Sequence, residues 1–130
     1  MDYPIKLHME VVIDSAHFLD GYEGKCREVH GHAWRIRIWI KGHSSQLDKL
    51  GILFDFTNVQ YIKNLYDHKL LNKCMPFIND FNPTAENIAL TIYHQLKELC
   101  KIDLSFVVRV YETSIGKECW AQTGDWEENA

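Results

Sequence analysis

HGHAWRIRIWIK, residues 30–41, alternates without a break: His30, His32, Trp34, Ile36, Ile38 and Ile40 fall on one face, Arg35 and Arg37 on the other. A strand sends successive side chains to opposite faces, so a strand here carries two histidines on its apolar side. IKLHMEVVIDSAH, residues 5–17, has the same rhythm. Leu7, Met9, Val11 and Ile13 share a face with His17, while His8, Glu10, Val12 and Asp14 lie opposite. If the two strands pair as a hairpin across FLDGYEGKCREV (18–29), His17 at the end of the first lies beside His30 and His32 at the start of the second. Three inward imidazoles at one end of a sheet form a three-ligand metal site with an open fourth position, the arrangement of catalytic zinc. A lone inward histidine is ordinarily a hydrogen-bonded core residue. Three together, two of them in His-Gly-His spacing, point to metal. His8, His43 and His94 lack such company and read as surface or helix-face residues.

Beyond these strands, Gly42 to Gly51 reads as a turn and connection, and ILFDF leads into a helix over Asn58 to Tyr66, with Val59, Ile62 and Leu65 at helical spacing. After a loop, Pro83 and Thr84 open a second helix. Thr84 is a good N-cap, Glu86 suits the first turn, and Ala85, Ile88, Ala89, Ile92, Leu96 and Leu99 form the buried stripe. A third strand is expected over Leu104 to Glu112 and a shorter fourth over Glu118 to Gln122. Grouped rather than alternating elements predict an α+β fold, an antiparallel four-stranded sheet with two helices on one face, in the order ββααββ.

The chain has 130 residues, 46% hydrophobic and 25% charged, which fits one globular domain over 1–130 without disulfide staples. Its net charge of -4 argues against non-specific nucleic-acid binding, which depends on a basic field. An anionic small substrate stays compatible with it through a locally positive pocket. No apolar run is long enough to span a bilayer, and the acidic residues within MDYPIKLHMEVVID suit a strand better than a signal peptide. Cys26, Cys74, Cys100 and Cys119 form no CxxC pair and read as free thiols of a reducing cytoplasm.

Four polar residues stand out further. Glu112 shares parity with Phe106, Val108 and Val110. Either the strand ends there and the carboxylate is wet, or it accepts two parallel hydrogen bonds from a planar donor edge such as an aminopyrimidine. Cys26 lies in the loop entering the histidine pair. It is either a structural thiol or, with its thiolate favoured by a nearby dication, a base or nucleophile. Asp67 and His68 are adjacent between the helices. A carboxylate can fix a histidine tautomer for proton transfer, although neighbours in sequence need not touch.

SAH (15–17), CREVHGH (26–32), GILFDF (51–56), DHKLLN (67–72), NPTAEN (82–87) and YET (111–113), in this order, resemble the 6-pyruvoyltetrahydropterin synthase superfamily from about residue 5 to 122. The resemblance implies the tunnelling fold, with strand pairs of several subunits joined into a barrel-like homo-oligomer of trimeric rings stacked into a hexamer. It implies zinc (Zn2+) on His17, His30 and His32, Cys26 as general base, Asp67 and His68 as a catalytic pair, and Glu112 as the pterin anchor. Three residues separate Cys26 from His30. This short spacing is similar to the carboxy-forming branch of 7-deazaguanine and queuosine biosynthesis, whereas pyruvoyl-forming enzymes usually have a longer one. The implied reaction is a lyase conversion of 7,8-dihydroneopterin triphosphate to 6-carboxy-5,6,7,8-tetrahydropterin, releasing acetaldehyde and triphosphate. The alternatives are triphosphate elimination without side-chain cleavage, or a non-catalytic zinc- or pterin-binding module. A generic zinc hydrolase lacks its usual mark here, since no HExxH occurs.

Overall fold

A computed structural model describes residues 1–79, 81–114 and 117–130, apart from the side chains of 113, 114 and 117. Strands β1 (Pro4–His17) and β2 (His30–His43) form the long hairpin, followed by helices α1 (Thr57–Tyr66) and α2 (Ala85–Leu99) and strands β3 (Ser105–Ser114) and β4 (Lys117–Gly124). The sheet is antiparallel throughout, in the order β1-β2-β3-β4. This is the expected ββααββ architecture. Among the described residues its outermost strands, β1 and β4, each have one edge without a strand partner beyond the short Ala16–Leu70 bridge.

Alternation decides the core. On β1, β2 and β3 the residues facing the helices are Ile13, Trp34, Ile36, Ile38, Ile40, Phe106, Val108 and Val110, all buried, and they meet Val59, Ile62, Ile88, Ala89, Ile92 and Leu96 from the helices. Leu7, Met9 and Val11 lie on the same side but are only partly covered. Helix α1 begins one residue before the expected Asn58, because the Asp55 carboxylate accepts from Thr57 N at 2.9 Å and satisfies an otherwise orphaned amide. Helix α2 begins as read: Thr84 Oγ1 accepts from Asn87 N at 3.1 Å.

The last strand runs two residues past the predicted end, and the chain then folds back over the far face of the sheet. Gly124 pairs with Val107, and a Cβ there would stand 2.3 Å from Phe106 O, an approach only glycine permits. Asp125 then closes a tight exchange, its N–H donating to Phe106 O and its Oδ2 accepting from Phe106 N, each at 2.8 Å. Arg109, on the face away from the helices, is 4% exposed. Its guanidinium donates to Gln122 Oε1 (2.7 Å), Tyr111 Oη (3.0 Å), Glu128 O (2.8 Å) and Ala130 O (2.8 Å), and stacks on Trp120 at 4.4 Å. Replacing it with methionine strands several buried acceptors. Arg109→Met is therefore expected to lower the unfolding free energy by about 2–3 kcal/mol in urea titrations, at unchanged secondary structure.

Candidate metal centre and its surroundings

The hairpin register sets His17 directly opposite His30, and Ser15 opposite His32. All three imidazoles turn to the core side, as alternation requires. His17 is 1% exposed, and the three ring centroids lie 4.5–5.1 Å from one another. Register also places Glu112 across from Trp34, one step along the same face. Its Oε1 lies 3.2 Å from His32 Nε2, and one ligand atom from each of His17, His30, His32 and Glu112 falls within 4.8 Å of the others. The carboxylate that parity left open between solvent and site is therefore at the site.

Hydrogen bonds to two backbone carbonyls fix what this cluster can hold. His17 Nδ1 lies 2.7 Å from Pro83 O, and His30 Nδ1 lies 2.7 Å from Glu28 O. A carbonyl only accepts, so each Nδ1 carries its proton, and in a neutral ring each Nε2 presents a lone pair. Those two Nε2 atoms are 2.9 Å apart. Two lone pairs at that distance repel unless a cation lies with them. A proton on His17 is disfavoured: burial pushes its pKa below the ordinary histidine value, and the neighbouring His30 and His32 push the same way, against the raising effect of the Pro83 bond. A metal ion resolves the conflict, and imidazoles whose second nitrogen donates to a carbonyl are the usual form of metal-ligating histidine. The donor set, three imidazole nitrogens with a carboxylate beside them, suits zinc.

Asp67 and His68 do touch: His68 Nδ1 lies 3.0 Å from Asp67 Oδ2. Both are moored to the outer edge of β1. Asp14 N donates to Asp67 Oδ1 at 2.9 Å, His68 N donates to Asp14 O at 2.7 Å, and Ala16 N donates to Lys69 O at 3.0 Å. His68 takes the left-handed conformation, φ 57°, in doing so. The Asp14 amide, followed by His68 itself, holds the Asp67 carboxyl below the usual carboxylate range. An ionised Asp67 facing Nδ1 leaves the Nε2 of the exposed His68 available for proton exchange. His68 and Lys69 line an open depression with Asp14, Gly31 and His32, next to the histidine strand.

Cys26 is a free, half-buried thiol in a single 3-10 turn, Lys25–Arg27. Its carbonyl accepts from Leu19 N at 2.8 Å, tying the loop to the end of β1 just past His17. The other three cysteines are also unpaired. The structure thus joins His17, His30, His32 and Glu112 in one cluster and Asp67 with His68 in a second. The carbonyls of Pro83 and Glu28 and the amide of Asp14, which orient these side chains, carry no signature in the sequence. Pro83 stands out in the sequence only as the lead into a helix cap.

Among the described residues no helix is long and apolar enough to cross a membrane. Residues 6–123 match the family model described as 6-pyruvoyl tetrahydropterin synthase. A Haemophilus influenzae protein named 6-carboxy-5,6,7,8-tetrahydropterin synthase is 30% identical over 131 aligned residues, covering 83% of this chain and 92% of that one. A Pyrococcus horikoshii protein bearing the same name provisionally is 37% identical over 67 residues, 51% of this chain but only 41% of its own length. The 6-pyruvoyl tetrahydropterin synthase structure from Caenorhabditis elegans superposes with a TM-score of 0.74 over 95% of this chain and 97% of that one, at 20% identity, a likeness of fold. With the match running through both hairpins and both helices, and with the histidine cluster inside it, the chain belongs to the 6-pyruvoyl tetrahydropterin synthase family.

Proposed function

We propose that this protein converts 7,8-dihydroneopterin triphosphate and water to 6-carboxy-5,6,7,8-tetrahydropterin, acetaldehyde and triphosphate, within 7-deazaguanine biosynthesis. The observation that carries this reading is the convergence of His17, His30 and His32 on one point with Glu112 beside it. The name borne by the Haemophilus relative supports the carboxy-forming branch.

Zinc held by His17, His30 and His32 would supply Lewis-acid stabilisation of negative charge on the substrate's side-chain oxygens, acidifying the neighbouring C–H bonds. The residues of the chain do the rest. Glu112 accepts two parallel hydrogen bonds from the amino edge of the pterin and fixes the ring. Cys26, as thiolate, removes a side-chain proton. Asp67 holds His68 in the tautomer whose Nε2 delivers or receives one, and elimination of triphosphate follows. Cys26 lies in the loop between β1 and β2, and the Asp67–His68 pair is tied to the outer edge of β1. Trimers stacked into a hexamer, joined through the open edges of β1 and β4, are the proposed assembly, and light scattering on the purified protein measures it.

Mass spectrometry of the products from zinc-loaded protein and 7,8-dihydroneopterin triphosphate tests the reaction. 6-Carboxytetrahydropterin with acetaldehyde is expected. 6-Pyruvoyltetrahydropterin in its place would move the chain to the pyruvoyl-forming branch, and no turnover with zinc bound would overturn the catalytic reading.

A further inference from the structure

We propose that Trp34 is a positioning residue of the histidine centre, its indole holding the planes of His17 and His32 for a metal ion. The proposal rests on reading the histidines as a metal centre. Alternation alone makes Trp34 a core residue, and it is one, at 1% exposure. Its surroundings ask more of it. The indole makes T-shaped contacts with His17, centroids 4.9 Å apart and planes at 88°, and with His32, at 5.0 Å and 67°. Apart from the histidines themselves, it is the one aromatic residue, among those described, in ring contact with two of the three.

The carbonyl bonds of His17 and His30 each set one ring nitrogen but leave the tilt of the imidazole to its packing. Edge-to-face contact is directional, because the positive rim of one ring seeks the negative face of the other. A single indole is long enough to impose it on both imidazoles, and a phenyl ring is shorter. Register fixes the indole from both sides, against Ile13 on β1 and Glu112 on β3. The side chain also carries a cost that phenylalanine would avoid: its Nε1–H is buried with no hydrogen-bond partner among the described residues. Tryptophan at this position is therefore explained by the reach of its rings, not by its polar atom.

Zinc affinity, measured by competition with a chromophoric chelator, and the visible spectrum of the cobalt-substituted protein test the role without any turnover. Trp34→Leu is expected to raise the zinc dissociation constant about ten-fold, the lower end of the loss seen when residues orienting metal ligands are removed. It should also shift the cobalt ligand-field bands. Trp34→Phe should show a smaller rise in the same direction. If Trp34→Leu does not fold in its metal-free form, by circular dichroism, the Trp34→Phe spectrum and affinity decide alone. Wild-type affinity together with a wild-type cobalt spectrum in the folded variants would overturn the proposal and leave the metal centre standing. Wild-type protein that binds neither ion would overturn both.

Discussion

His30→Ala is expected to lose stoichiometric zinc while keeping its fold. In the proposed centre three imidazoles hold the ion while Glu112 serves the pterin, and removing one leaves two neutral nitrogens, a much weaker donor set. Loss of an orienting partner already costs about 10- to 100-fold in metal affinity. Loss of a ligand should therefore exceed roughly 100-fold, read by metal analysis after dialysis and by competition with a chelator. The fold should not suffer. His30 sits at the first residue of β2, only partly buried, and its Nε2 faces that of His17 at 2.9 Å, where burial disfavours a proton on His17. Deleting this partly buried ring opens little core space, so the metal-free variant should unfold at about the same urea concentration as the metal-free wild type. A His30→Ala protein that retains a full equivalent of zinc would sink the ligand assignment.

That the cluster was legible at all follows from the period of a strand. Leu7 to Ile13 and Trp34 to Ile40 fix which side of the hairpin is buried, and extending their parity to the ends places His17, His30 and His32 inward. The same extension placed Glu112, but parity says nothing about whether the end of a strand is wet. Only the pairing of Glu112 with Trp34 and its approach to His32 decided that. Less legible was whatever depends on backbone acceptors. Pro83 O and Glu28 O choose the tautomers of two histidines, yet any residue type offers a carbonyl. Asp67 and His68 could be named but not located. What moors them is a short run of backbone pairing along β1, with His68 in a conformation that side chains rarely adopt. Arg109 is the sharpest case. Its parity marks it as outward and therefore wet, and it is buried, because residues 125–130 return across that face and offer it carbonyl oxygens. A charged residue in an alternating strand gives no warning that the chain's last segment will cover it.

Cys26→Ala separates holding the metal from doing the chemistry. The thiol belongs to the loop between His17 and His30, but its contacts are those of a loop residue: its carbonyl is tied to Leu19, and the half-buried thiol makes no disulfide. Among the described residues the ligand cluster gathers His17, His30, His32 and Glu112 without Cys26, so the variant should bind zinc with wild-type stoichiometry and unfold like the wild type. Pterin binding should also survive, since the proposed anchor, Glu112, is untouched. Turnover is another matter. A positioned general base contributes about 10²- to 10⁴-fold, and Cys26→Ala should lose at least that much in kcat, with KM little changed, because a group acting only in the proton-transfer step does not support ground-state binding. Cys26→Ser should fare no better, as a hydroxyl is a far weaker base than a thiolate at neutral pH. Single-turnover assays with product identification by mass spectrometry measure the loss directly. A Cys26→Ala protein with full zinc and undiminished turnover would remove the thiol from the mechanism. The proton would then leave through the second proposed proton-handling unit, His68 with Asp67 behind it, and Asp67→Asn, which takes away the acceptor that fixes the His68 tautomer, would become the decisive variant.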